Sequence, residues 1–438
     1  MIPALLAILA LVILGMAIAR ALDAACSGLR LAGLSFLYGS GAASFVLLAL
    51  ATLHVPWGAG TVAIAMIAVF AIAAGIAWRN ASPRSVLLAS RPHVVDLLTL
   101  ATVAGYAVYA TMHPPWEWDF WAIWGLKGRV FLEAGGLDWG FLESPWNLFA
   151  HPDYPALVPL DFDVVALVSG GWDDRWMGML EVAWGASLLL IVREQAARET
   201  TPLLAAVAAF AVAAPALTRF VGLAEGALVA FGAAGVLLAR EAMRDEDAAA
   251  WRHAAFMLGF AANCKNEGIA LLAAVMLAIA LTGPRSRIAP RLARLWPAYA
   301  LVVPWILIRA MHALPTDLAG GDAASRLAER LPQAGAILAL LAAKLHRPWF
   351  WAALVAAMLV VPPAAIVRER FVIVVTIIQL AFFAGAYLVT PYDIGWHVFT
   401  SWPRLTAQLA VPIAFVVALM LAGVVSAPGE RPRSAPTA

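Results

Sequence analysis

The chain has 438 residues, of which 63% are apolar and only 13% charged, with a formal net charge of +2. A soluble domain sits nearer half apolar and a quarter charged. An ordinary soluble enzyme is therefore excluded, and so small a net charge gives nucleic acid no hold as a partner. What remains is a polytopic membrane protein whose backbone hydrogen bonds close inside helices, because lipid offers them no partner.

Apolar runs predict spans at roughly 2–20, 31–53, 60–77, 93–112, 177–192, 202–219, 221–239, 252–264, 268–282, 293–310, 348–363, 371–389 and 406–424. Several fall short of the roughly 20 residues a straight crossing needs, so the expected number is eleven to thirteen. The first run lacks a basic leading segment and reads as a span rather than a signal peptide. Cys26 and Cys264 form neither a disulfide framework nor a metal-ligand spacing.

Cations between the runs set an expected sidedness. Arg79, Arg84 and Arg91, then Arg193 and Arg198, then Arg240, Arg244 and Arg252, then Arg285, Arg287, Arg291 and Arg294 mark cytoplasmic loops, and Arg431 and Arg433 mark a cytoplasmic tail. Segment 113–176, with ten acidic residues against Lys127, Arg129 and Arg175, falls on the opposite face. Segment 322–345 is bracketed by Arg326, Glu329, Arg330, Lys344 and His346 and interrupted by Pro332, and is expected as an amphipathic helix along the outer interface. The fold class is all-α: a transmembrane bundle with one large outer loop carrying short interfacial helices.

Four stretches at the outer ends of spans carry candidate chemistry. In the loop from 113, Glu117 and Asp119 lie among Trp116, Trp118, Trp121 and Trp124, and Trp121, Trp124, Phe131 and Leu132 could line one face of a short helix over 119–134. A carboxylate at the membrane boundary loses solvation and becomes a better proton acceptor, while Lys127 and Arg129 offer charge for a phosphate. Asp119 and Lys127 are two turns apart, about 12 Å of rise, a spacing for two ends of a substrate rather than one ion pair. The same composition also describes a solvated loop with interfacial Trp anchors. In HPDYPALVPL, three prolines hold His151, Asp153 and Tyr154, with Asp153 also placed to cap the next helix. Lys265, Asn266, Glu267 and Gly268 form a polar hairpin in which Lys265 and Glu267 either neutralise each other or grip a phosphate. In PYDIGWHVFTSWPRLTAQ, Asp393, Trp396, His397, Ser401, Arg404 and Gln408 gather near an outer end. Arg404 breaks the positive-inside trend, as a ligand for a lipid phosphate would, or as a snorkelling anchor. Glu225, between two spans, is either a weaker candidate or a solvated turn.

Together WEWDFWAIWGLKGR, HPDYPALVPL, KNEG and PYDIGWHVFTSWPRLTAQ resemble the bacterial integral-membrane glycosyltransferases of the GT-C superfamily, nearest the dolichyl-phosphate-mannose-protein-mannosyltransferase-like (family 39-like) group. The likeness runs in order from about residue 90. It implies three regions: N-terminal transmembrane helices over 1–92, a GT-C-like catalytic module over 93–424 that includes the outer loop 113–176, and a disordered cytoplasmic tail over 425–438. It implies a sugar donor carried on polyprenyl phosphate, transfer on the periplasmic face of a bacterial inner membrane, and an envelope glycan, lipid or protein as acceptor. Asp119 takes the catalytic acidic place in the group's W-D-x-W pattern, with Trp121, Trp124 and Lys127 following it. His151, Asp153 and Tyr154 match H-P-D-Y-P, Lys265 and Glu267 match K-N-E-G, and His397, Ser401 and Arg404 match the late W-H-x-x-T-S element. The chain departs from the group at GLAEGA, where Glu225 stands for the aspartate of a G-Y-A-D-L-P string. It departs again in having three extra spans ahead of the large loop.

The reaction this implies is substitution at the anomeric carbon with inversion. Asp119 serves as base with Glu117 in reserve, and Arg404 and Lys265 stabilise the departing phosphate. Asp119, Asp153 and Glu225 could together hold Mg²⁺ or Mn²⁺, but a cationic pocket makes a metal unnecessary and no cofactor is expected. A secondary transporter or flippase of a lipid-linked or anionic substrate is the main alternative, though its charges would sit at mid-membrane. A glycan ligase is chemically close, and an envelope scaffold leaves the polar set unexplained.

Overall fold

In a computed structural model, residues 2–80, 91–113, 115, 117–316 and 322–425 are described. Arg84, Trp116, Arg431, Arg433 and the tail after Val425 lie outside them. Every regular element among the described residues is helical.

Seven helices are long and apolar enough to cross a membrane: Ile2–Leu22, Gly28–Thr52, Ala59–Arg79, Asp174–Glu199, Glu225–Asp245, Arg370–Val389 and Ile394–Val425. The pair Arg285–Ala293 and Trp296–Met311, bent by 52°, makes an eighth if counted as one span. The chain is thus a multi-pass helical bundle with fewer full-length crossings than the eleven to thirteen expected. The runs at 93–112, 252–264 and 268–282 become the helices Asp96–Met112, Ala248–Cys264 and Asn266–Thr282, of 17 residues each, and 348–363 becomes Pro348–Val360, of 13. The run 202–219 does not stay helical. Pro215 has no N–H to give to Ala211, and the run divides into Pro202–Ala211 and Ala213–Ala216 before the chain leaves the helix at Leu217. The last run starts twelve residues early, at Ile394, so His397, Ser401 and Arg404 stand on the helix rather than ahead of it.

Small residues let the bundle close. A Cβ on Gly15 would lie 1.8 Å from the Ser35 carbonyl oxygen and one on Gly39 would lie 1.9 Å from that of Leu11, so the first two helices touch backbone to backbone. One contiguous apolar core joins residues before position 92, such as Leu11, Leu34 and Leu37, to Leu180, Leu228 and Val416. Segment 322–345 is two short helices, Ala323–Arg330 and Ala334–Ala343, parted by a single 3-10 turn that contains Pro332. Arg326 and Arg330 donate to the carbonyls of Val389, Tyr387, Thr390 and Tyr392, which closes the C-terminal end of Arg370–Val389.

Arg193, Arg198, Arg240 and Arg244, expected in loops, all stand on helices. Arg30 bonds both Glu194 and Glu241, and Arg198 bonds the same two carboxylates. Arg240 makes paired bonds to Glu199 and to Glu369. Arg244 joins Glu199, and Arg193 joins Asp96. This network lies at the far end of Glu225–Asp245 from Glu225, about 24 Å along the axis at 1.5 Å per residue.

Candidate functional site

Asp119 sits at the head of a five-residue π-turn, Phe120–Trp124, which runs on into the helix Gly125–Ala134. The wider turn rotates the residues before it relative to those after it, and π-turns of this kind recur at functional sites. Trp121 is therefore half exposed while Trp124 and Phe131 are fully buried, so the single shared face expected for these rings does not form.

The loop leading to Glu225 is fixed against this turn. Gly222 has φ +83°, and a Cβ there would meet Pro115 at 2.5 Å and the Phe120 ring at 2.8 Å. Its N–H donates to Glu181 Oε1 at 3.2 Å, and a Cβ on Gly226 would fall 1.6 Å from Glu181 Oε2. Glu181 thereby positions the acidic residue at 225. Sequence reasoning passes over it, although a lone charge inside the run 177–192 is a recognisable signal of function.

Glu225 is completely buried, which overturns the solvated-turn reading. Its Oε1 accepts from Arg404 Nε at 2.8 Å and from Lys265 Nζ at 3.2 Å. Arg404 Nη1 donates to Asp119 Oδ2, and Lys265 reaches Glu267 Oε1 at 2.8 Å. Asp119, Arg404, Glu225, Lys265 and Glu267 thus form one chain of charge contacts drawn from four separate segments. Arg404 is not a snorkelling anchor, and the lysine of the hairpin is not solvated: Lys265 is 6% exposed, a single extended residue between two helices. Low dielectric makes such contacts strong and leaves any bare charge costly. Glu225 Oε2 and Glu267 Oε2 are nevertheless buried without a hydrogen-bond partner among the described residues.

A second layer adjoins this chain. Asp153 Oδ2 accepts from Asn266 Nδ2 at 3.0 Å and from Thr316 Oγ1 at 3.1 Å, and Arg309 stands 3.6 Å away. Asp153 does not cap the next helix, whose cap position, Ala156, has no side-chain bond. The Tyr154 ring stacks between His151, at 4.5 Å, and Trp124, at 5.8 Å, with Lys127 Nζ and Lys265 Nζ each 5.9 Å from its centre. Lys127 does not reach Asp119. It is 1% exposed, donates to the His151 carbonyl at 3.0 Å and lies 5.2 Å over Trp124, so it ties the interfacial helix to the HPDY turn instead of offering an open phosphate ligand. Burial pushes its ammonium down to about 7, against the pull of the Asp153 carboxylate.

His397 and Ser401 share a helix face with Arg404 at spacings of seven and three residues. Ser401 donates to the His397 carbonyl and bonds the Tyr387 hydroxyl at 2.7 Å, while His397 lies edge-on to Tyr387. Among the described residues no ion pair joins Glu117 to the cluster. Asp119, Asp153 and Glu225 do not converge as metal ligands. The group among the described residues whose ligand atoms do lie within 4.8 Å of one another is Asp23, Cys26 and His253, elsewhere in the bundle. No family model, curated protein or solved structure matches this chain.

Chemically, the arrangement offers a partly exposed carboxylate beside a guanidinium that is only partly used. Arg404 gives Nε to Glu225 and Nη1 to Asp119, and no described residue takes a bond from Nη2.

Proposed function

We propose that the chain is a glycosyltransferase of the GT-C kind, taking a sugar from a polyprenyl-phosphate carrier and passing it to an envelope lipid, glycan or protein. On this reading it sits in a bacterial inner membrane with the Asp119–Arg404 site facing the periplasm. The supporting observation is the chain of bonds from Asp119 through Arg404 and Glu225 to Lys265, and from Asn266 to Asp153, which brings residues of the four distinctive strings to one place. A phosphate oxygen engaging Arg404 Nη2 competes with Asp119 for the guanidinium. Donor binding therefore loosens the carboxylate that must accept a proton.

In the proposed step the acceptor oxygen forms a bond to the anomeric carbon as that carbon's bond to the phosphate oxygen breaks. The electron pair leaves on the phosphate, which Arg404 and Lys265 stabilise, and the acceptor proton passes to Asp119. Attack opposite the leaving group inverts the anomeric centre. Glu225 keeps Arg404 and Lys265 on one side of the site, and Glu181 keeps Glu225 in place. The proposed step uses no metal.

The test is transfer from a polyprenyl-phosphate hexose by the purified chain. Asp119→Asn, which keeps size and a hydrogen-bonding group, should lower turnover by about 10²- to 10⁴-fold, the range for loss of a general base. Near-parental turnover by a folded Asp119→Asn protein would sink the assignment.

A further inference from the structure

A cleft of about 170 Å³ opens where the broken run 202–219 faces the start of Pro348–Val360 and the middle of Ile394–Val425. Arg219, His346 and Arg347 all line it, beside Thr218, Trp349 and Trp351. Unlike the buried arginines of the bundle, neither Arg219 nor Arg347 has a carboxylate within ion-pair distance among the described residues. Arg219 is instead laid over the Phe220 ring at 5.1 Å. Two guanidinium groups facing one cavity repel each other, a repulsion that an anion between them relieves, and burial together with these cations holds the His346 imidazole below its ordinary pKa. Thr218 adds an independent sign: the residue is 5% exposed and lines the cavity, and its buried hydroxyl has no hydrogen-bond partner among the described residues. Burying a hydroxyl in that state is unfavourable by one lost bond, which a ligand oxygen would restore.

The walls narrow the ligand to an amphiphile. Two tryptophans stand beside the cations, and the two flanking helices turn apolar side chains outward, Leu203, Val207 and Phe210 on one and Val355 and Leu359 on the other. In a multi-pass protein those faces are where hydrocarbon lies, and indole rings favour the boundary between chain and headgroup. We propose that this cleft binds the phosphate head of a membrane lipid, as a second lipid-phosphate site separate from the Asp119–Arg404 cluster. Arg219 and Arg347 hold the phosphate oxygens, the Thr218 hydroxyl donates to one of them, and the hydrocarbon runs out between Pro202–Ala211 and Pro348–Val360. Ala407, one turn from Arg404, forms part of the cleft wall, so a lipid held here lies next to the charged cluster without entering it.

The test uses the full chain in neutral detergent, titrated with phosphatidic acid, with diacylglycerol and with inorganic phosphate, and counts retained lipid by native mass spectrometry. Phosphatidic acid should bind, and diacylglycerol should bind at least about tenfold more weakly, the loss of charge-assisted bonds. Inorganic phosphate should fail to displace the lipid. The double variant R219Q/R347Q should bind phosphatidic acid about 100-fold more weakly, and R219K/R347K, which keeps both charges, should retain most of the binding. Three results would each overturn the proposal. These are parental affinity in the glutamine pair, a lysine pair as defective as the glutamine pair, or displacement by equimolar inorganic phosphate. Retained lipid is read without any transfer step, so this outcome is independent of the glycosyltransferase reading.

Discussion

The helix Glu225–Asp245 carries a charge network at each end, and the two are built differently. At the far end Arg30 and Arg198 share Glu194 and Glu241, while Arg240 and Arg244 share Glu199, and Arg240 also holds Glu369. Cations and carboxylates there are equal in number, and none of those four carboxylates has a buried oxygen left without a bond. At the Asp119 end three carboxylates, Asp119, Glu225 and Glu267, face two cations, Arg404 and Lys265, and two buried carboxylate oxygens have no partner. A network whose carboxylates are all bonded serves the fold, because buried charges must be compensated to be tolerated. One left incomplete in the folded chain has hydrogen-bonding capacity in reserve for something else.

The same substitution placed in each network separates these roles most widely. Arg404→Gln removes the proposed phosphate ligand and should lower transfer by about 10²- to 10³-fold per folded molecule, as loss of one preorganised charge donor does. Arg240→Gln breaks the paired guanidinium–carboxylate contact with the buried Glu369, leaving it only the half-exposed Arg368, and should destabilise the chain by about 3–5 kcal/mol, while the molecules that remain folded transfer at the parental rate. Thermal unfolding in detergent, paired with turnover normalised to folded protein, checks both. Should Arg240→Gln slow turnover per folded molecule as much as Arg404→Gln does, the distinction between the two ends collapses.

Lys127 sharpens the comparison, because it lies at the Asp119 end yet is buried in the manner of the far end. Its folded-state pKa, about 7, is below the ordinary lysine value of 10.5. Below pH 7 both folded and unfolded chains hold this proton, and the burial penalty is fully present. Between about 7 and 10.5 the unfolded chain holds more protons than the folded one, so stability rises with pH, by up to about 1.4 kcal/mol per unit. Lys127→Met should remove that rise while leaving a folded protein, which unfolding midpoints at pH 7 and pH 9 will show. An unchanged pH slope would mean that Lys127 keeps its charge in the fold, held by the His151 carbonyl and the two rings.

The legible part of the site is the part that one dimension can display. Asp119, Lys265 and Arg404 stand out in the sequence because charge beside apolar runs is expensive and rarely accidental, and the structure brings all three together. Their partnerships are hidden there, since 285 positions separate Asp119 from Arg404. Lys127 reads as a phosphate ligand because spacing along a helix says nothing about what covers it. The π-turn that splits Trp121 from Trp124 leaves no mark in composition. The far-end network reads as loop charge, yet it leaves a trace: Arg193-Glu194, Arg198-Glu199, Arg240-Glu241 and Arg368-Glu369 each set a cation beside a carboxylate. Loop arginines waiting for lipid headgroups need no such neighbour. The bend at Pro215 is equally visible as a proline inside a helical run, and it is what admits the cleft at Arg219.

The smallest effect tests the excess of negative charge directly. Among the described residues the Glu267 carboxylate reaches only Lys265, and Lys265 also holds Glu225. Glu267→Gln therefore leaves two carboxylates against two cations, and Lys265 keeps a partner. The change should shift stability by no more than about 1 kcal/mol, the range of a partly solvated pair. At the far end the equivalent loss leaves an arginine short of a carboxylate, and the larger penalty for breaking a buried pair applies. Unfolding midpoints of parent and Glu267→Gln measured side by side decide the matter. A fall as large as that of Arg240→Gln would show that Glu267 is needed to balance the cluster, and that the Asp119 end is as self-contained as the other.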